Sequence, residues 1–194
     1  MTIQHAQTLP HWNYFLSLED DIAHLARWIE FSKPNEAVYS IELARLLMAA
    51  AQEADVVAKA LCRSLAPTAR AETIGAYQAV LVGAIPEVPD ALVEMPRHGM
   101  SFTPWSNWHR QRTPPDWWTG NNKVKHHRAE QFHHASLKNV LNAVAALLVL
   151  LLLLYGLSEH IINPMPRLFV PRAFGLYLED GLVLSPPAAV AALR

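Results

Sequence analysis

The chain has one cysteine, Cys62, in 194 residues, so no disulfide can close within it. Its seven glycines form no phosphate-cradling loop, and no Gly-x-Ser-x-Gly nucleophile elbow occurs. Charged residues are scarce at 17%, against 52% hydrophobic, which excludes an intrinsically disordered chain and supplies ample core. A basic excess is also missing: the formal net charge of −1 argues against a general nucleic-acid coat and leaves room only for local binding. The start, from Met1 to Phe15, lacks the basic lead and apolar stretch of a secretory signal, so the expected location is cytoplasmic. The length suits one domain with an appendage.

Charge is uneven along the chain. Residues 1–100 carry 7 Lys/Arg and 12 Asp/Glu, whereas residues 101–194 carry 9 and 5, which makes the second half the anion-facing one. Apolar periodicity places most of the helices. Ser17-Leu18-Glu19-Asp20 has the pattern of a capping box, followed by a stripe at Leu18, Ile22, Leu25 and Ile29 that Lys33-Pro34 should end. Leu43, Leu47, Ala50, Ala54, Val57, Leu61 and Leu65 recur at steps of three and four, predicting a long helix over 35–65 with Cys62 buried in it. Glu42/Arg45 and Asp55/Lys59 fit its exposed flank. A third helix is predicted from Thr68 to Val82, closed by Gly83.

From residue 84 to 120 the period stops. Six of fourteen prolines and four of six tryptophans (Trp105, Trp108, Trp117, Trp118) lie there, in a loop far above the usual ~4–6 residues. The indoles either clamp this loop onto the bundle or stack on nucleobases. Helix resumes from Trp117 to Arg128 and again from Ser136 to about Leu157. The strictly apolar part of the latter, Ala143–Tyr155, is shorter than the ~20 residues of a bilayer span, so it is expected as the buried central helix, with no membrane partner. Leu176-Tyr177-Leu178 and Leu182-Val183-Leu184 flank Glu179-Asp180-Gly181, a turn signal for a small C-terminal β-hairpin. The expected fold is therefore all-α: a bundle of about five helices over residues 1–166, with the long Pro/Trp-rich loop inside it, then a hairpin and tail over 167–194.

Chemistry concentrates in one stretch. Asn121-Asn122-Lys123-Val124-Lys125-His126-His127-Arg128-Ala129-Glu130-Gln131-Phe132-His133-His134 holds four of the ten histidines and three Lys/Arg, just before the most apolar helix. Cations and imidazoles so placed suit a phosphate; the same residues would also serve as a polar cap. The string from Asn122 to Arg128, followed by Phe132, Ala135, Leu137, Asn139 and an Ala/Leu-rich helix, resembles the bacterial all-α HEPN superfamily over roughly residues 115–157. Arg128 with His133, four residues between, or with His134, five between, resembles that superfamily's Arg-x4–6-His motif; Ala129 departs from the polar residue often found after the arginine. The resemblance implies metal-independent RNA cleavage in a toxin or defence system by a homodimer, with no cofactor. It also implies Arg128 as the electrostatic clamp, His133 as the acid/base group, and Asn122, Lys123, Lys125, His126 and His134 as phosphate contacts.

Two rival readings come from the residues themselves. In one, the chain is a non-catalytic interaction module whose aromatic loop meets a protein partner, an antitoxin included. In the other, Glu130-x-x-His133 and Asp21-x-x-His24 have the spacing of a ferritin-like di-metal bundle, with Glu42, Glu53 or Glu72 as bridging carboxylates. His5, His11, His98, His109 and His160 are expected on the surface or in loops.

Overall fold

The computed structural model describes residues 9–156, 162–172, 175–178 and 181–184, the last two stretches as backbone only. The N-terminal eight residues, His160, the Glu179-Asp180 turn and the closing Pro/Ala-rich segment lie outside the described residues. The fold is mainly helical. Among the described residues there are six α-helices: α1 (Pro10–Leu25), α2 (Ile41–Leu65), α3 (Ile74–Ala84), α4 (Asp116–His126), the one-turn α5 (Arg128–Gln131) and α6 (Leu137–Gly156).

The central element is α6, which packs chiefly on α2 and also meets α1 and α4. From Leu137 to Gly156 its side chains are buried on every face except at Lys138, Asn142 and Leu154. It is the one described helix long and apolar enough to cross a membrane, and 78% of its apolar window is buried inside the protein. A helix apolar all round needs a full surround, and the other elements provide it.

The start of α6 explains a boundary that periodicity misplaces. The first amides of any helix lack partners inside it. Here Leu137 N–H donates to the Val38 carbonyl at 2.9 Å and Lys138 N–H to the Glu36 carbonyl at 3.0 Å. Asn139 N–H goes to Ser136 Oγ at 3.3 Å and Val140 N–H to the Ser136 carbonyl at 3.0 Å. Residues 36–39, a turn followed by an antiparallel bridge of Tyr39 with Ser136, are thereby committed to α6, so α2 begins at Ile41 rather than 35, with Ser40 Oγ accepting from Leu43 N–H. Residues 33–35 form only a 3-10 turn.

Other boundaries shift for similar reasons. Helix α1 starts at Pro10, not Ser17, because buried Trp12 and Phe15 extend the stripe backwards; Ser17 Oγ bonds the Tyr14 carbonyl and caps nothing. Helix α3 starts at Ile74, where Thr73 Oγ1 accepts from Ala76 N–H. Cys62 is buried as expected, and burial pushes its thiol up to about 11.

The segment between α3 and α4 is ordered. It holds β1 (Val93–Met95) and β2 (Met100–Phe102), turned by Gly99 at φ +60°, and β3 (Val170–Pro171) adds to β1, making an antiparallel sheet of order β2-β1-β3. Sequence periodicity gave no sign of this sheet, since its strands are three residues or fewer. Further on, β4 (Gly175–Leu178) and β5 (Gly181–Leu184) pair antiparallel where the hairpin was expected.

The tryptophans hold this segment to the bundle. Trp105, Trp108 and Trp117 are buried, and Trp105 packs against both of the others, tilted on Trp108 and edge-on to Trp117. Trp105 Nε1–H donates to the Ala146 carbonyl in α6 and Trp117 Nε1–H to the Pro104 carbonyl. Buried Gln78 of α3 donates to the carbonyls of Trp108 and Arg110 and accepts from Arg112 N–H, the last at φ +58°.

Glu19 fastens the far end. It is 1% exposed, and its carboxylate accepts three main-chain N–H bonds, from Arg167 at 2.9 Å, Leu168 at 2.8 Å and Phe169 at 3.1 Å. Nearby, Trp12 Nε1–H donates to the Pro164 carbonyl, and Arg167 pairs with Asp20. Residues 162–172 are thus held to α1 and β1. Glu19→Ala would strand three amide groups and is expected to cost about 3 kcal/mol or more in chemical denaturation. Glu19→Gln, which keeps one carbonyl acceptor, should cost clearly less; equal loss in both would contradict this role.

Candidate phosphate-binding site

The basic stretch does not form one helix. Helix α4 ends at His126, His127 breaks the helical path at φ −137° and ψ 43°, α5 runs for four residues, and Phe132–His134 is a 3-10 turn. This broken path swings the residues between α4 and α6 around the outside of the bundle. Lys125, His126, His127, Arg128 and His133 are exposed; Lys123 and His134 are half-buried.

A single contact fixes the bend. Asn139, 9% exposed near the start of α6, donates from Nδ2 to the His134 carbonyl at 2.8 Å. Gly120 of α4 makes room for it, since a Cβ there would lie 2.5 Å from Asn139 Nδ2. The neighbouring imidazoles of His133 and His134 stack with centroids 4.3 Å apart, and Lys123 Nζ lies 3.2 Å from His134 Nε2. An ammonium has only protons to offer, so His134 accepts through Nε2 and is neutral in this contact. Burial, then the charges of Lys123 and His133, hold His134 below the usual imidazole range.

Arg128 lies elsewhere on the bend. Its guanidinium sits 5.1 Å from the centroid of the Phe132 ring, which itself meets Tyr39 edge-on. Neither Arg128 nor His133 is part of the lining of the two cavities that flank α4. Asn122, Lys123 and His126 do come together, with His127, around a cavity of about 350 Å³ whose remaining wall includes Trp118 and Ile74. Lys125 falls on the opposite flank of α4, in a groove of about 340 Å³ against α2 that it shares with Asn121 and Asn122.

Electrostatically, the site is one-sided. Among the described residues, the ion pairs engage Arg45, Lys59, Arg167, Arg172, His11 and His109, while Lys123, Lys125 and Arg128 pair with no carboxylate. The N-terminal amides of α6 are already used, so the cations and imidazoles, rather than a helix dipole, carry any affinity for an anion. Tyr39 and Gly120 were not foreseen as parts of this region, and Phe132 and Asn139 entered only as pattern residues without a role; their spatial neighbours reveal what they do.

The di-metal arrangement does not assemble. Asp21 and Glu42 both pair with Arg45, Glu53 bonds His11 at 2.6 Å, and Glu130 and His133 are exposed on separate turns. Among the described residues no three His, Cys, Asp or Glu groups converge as metal ligands. His11 is consequently a half-buried helical residue with a partner, not a loop histidine.

Two outcomes follow for the bend. Because His134 takes a proton less readily folded than unfolded, the unfolded chain binds protons first as pH falls through about 6.5, and the fold loses stability there. His134→Gln should therefore lose less Tm than the wild type between pH 7 and pH 5; an equal or larger loss would contradict the Lys123 contact. Gly120→Ala must displace Asn139 and is expected to lower stability by about 1–3 kcal/mol in urea titration, whereas no change would show that Asn139 has room to move. No family model, curated protein or solved structure matches this chain.

Proposed function

We propose that the chain is an RNA-directed, HEPN-like protein that binds the phosphate backbone along the outside of the α4–α6 bend and cleaves it without a metal. The observation that carries the binding is the run of exposed Lys125, His126, His127 and Arg128 beside Lys123, with no carboxylate pairing its cations. A phosphodiester would supply the missing anion, and no ion pair has to be broken to redirect these cations toward it. In an otherwise near-neutral protein such a run binds locally, at one backbone stretch, rather than coating a polymer.

Cleavage rests on the Arg-x4–6-His resemblance. His133 would take the proton of a ribose 2′-hydroxyl; the 2′-oxygen then attacks phosphorus, and the bond to the 5′-oxygen breaks. That oxygen leaves with a proton from water, giving a 2′,3′-cyclic phosphate and a 5′-hydroxyl. Arg128 would hold the charge that builds on the phosphoryl oxygens. Both side chains are exposed, so a substrate and a second protomer can reach them. The contact of His133 with His134, at a 37° tilt, and the Lys123 contact behind it would orient the base.

A second reading draws on the exposed apolar residues. Trp28 is 85% and Ile41 72% exposed, with Val38 and Tyr39 close in sequence to Ile41. Large apolar side chains in water favour a protein partner, an antitoxin among them, on that side.

Incubation of a mixed RNA pool in chelator separates these readings. Wild-type protein should produce cyclic-phosphate ends, and Arg128→Ala and His133→Ala should each lower the rate by about 100-fold or more while melting as the wild type does. RNA binding without cleavage would remove the catalytic roles; neither binding nor cleavage would overturn the RNA reading in favour of the apolar surface.

A further inference from the structure

The two cavities on either side of α4 share a wall. Trp118 and Asn122 line both the cavity beside Lys123, His126 and His127 and the groove beside Asp55, Lys59 and Lys125. Trp118, Asn121, Asn122 and Lys125 follow the i, i+3, i+4, i+7 spacing that puts them on one face of the helix. Opposite them, Met48, Gln52, Asp55 and Lys59 of α2 recur at the same kind of spacing. The result is a trough with a basic end, a carboxamide wall and an indole ridge.

Trp118 stands apart from the other tryptophans of its segment. Trp105, Trp108 and Trp117 are buried, whereas Trp118 is half-exposed and braced edge-on by Trp117 at 5.7 Å. Such bracing fixes the ring plane, which is what a stacking surface needs, without covering it. On this wall Asn121 Oδ1 is shut off from water, so the carboxamide presented to an occupant is that of exposed Asn122. On the floor, the Asp55 carboxylate is already engaged by Tyr77 Oη–H at 2.7 Å and Lys59 Nζ at 2.5 Å, while Glu72 on the rim is the second carboxylate of a groove with two lysines, Lys59 and Lys125. Each cavity, at about 340–350 Å³, falls at the small end of the range for ligand pockets.

We propose that Trp118 is a base-stacking platform and that the substrate of the phosphate site is single-stranded RNA. One unpaired nucleobase lies on the indole over the α2–α4 groove, its edge toward the exposed Asn122 carboxamide. Its phosphate crosses the ridge to Lys123, His126 and His127. A base inside a duplex offers no free face, so the trough selects unpaired nucleotides. This inference rests on the phosphate-binding reading above and adds to it which RNA is bound and by what.

Binding to three probes tests it: a single-stranded 12-mer RNA, the same length of abasic ribose-phosphate, and a 12-base-pair RNA duplex. The wild type should bind the single strand best, with the abasic strand weaker by about 10-fold or more. Trp118→Leu keeps an apolar side chain in the wall and removes the π face. It should bring the single-strand affinity down to that of the abasic strand and leave abasic binding unchanged, while Trp118→Phe restores most of the loss. Melting temperatures of both variants within a few degrees of the wild type keep the comparison one of recognition. Single-strand binding unaffected by Trp118→Leu, or equal binding of duplex and single strand, would overturn the stacking proposal and leave the phosphate site standing. No binding of any probe by the wild type would overturn the phosphate reading, and the stacking proposal with it.

Discussion

The enclosure of α6 is the constraint on which the rest of this structure depends. Leu147 to Leu153 is aliphatic throughout and buried throughout, so no face of that helix can be left to water. Helix α2 covers the longest part of it, α1 and α4 cover more, and the Trp105 indole closes a gap by bonding the Ala146 carbonyl. Each buried leucine contributes about 1.5–3 kcal/mol by leaving water, enough to hold the sheet-bearing loop and the 162–172 segment in place around it. Those segments need their own polar fastenings because they have little periodic apolar surface; Gln78 and Glu19 supply them.

The same constraint puts the chemistry where it is. A helix this apolar has its polar residues at one end, at Ser136, Lys138 and Asn139, and that end faces the bend carrying the histidines and lysines. The carbonyls of Glu36 and Val38, with Ser136, take up the first amides of α6, so the bend is free of any obligation to cap the helix. Its cations are then left to solvent. The polar cap, the bland alternative for the basic stretch, is supplied half by Glu36 and Val38, a hundred positions earlier in the chain, and half by Ser136, which is why the proposed phosphate site has charge to spare.

What the sequence disclosed and what it hid divide along local and long-range lines. The α2 stripe, the buried α6 and the C-terminal strand pair follow from spacing and turn residues within a few positions, whereas the break after residue 126 falls inside a helix that spacing carries on to Arg128. The start of α2 did not, because its preceding residues are committed to α6. The sheet did not, because β1 and β3 lie more than seventy residues apart and are too short to show alternation. Glu19 entered only as an inner position of a capping box whose carboxylate is Asp20, yet it sits on the buried stripe between Phe15 and Ile22, and that position was the signal of its work as an acceptor for three amides. Within the site, Asn122, Lys123 and His126 are brought together around one cavity as their helical spacing allows, while the break at His127 carries Arg128 and His133 away from it.

The central claim, that the uncompensated cations of the bend bind an RNA backbone, is most directly measured by the salt dependence of RNA affinity. Three backbone contacts from Lys123, Lys125 and Arg128 on a single strand give an expected slope of log K against log salt of about −2. Neutralising Lys125 and Arg128 together should bring that slope to about −0.7. A slope near zero in the wild type, or one that the double substitution leaves unchanged, would contradict it.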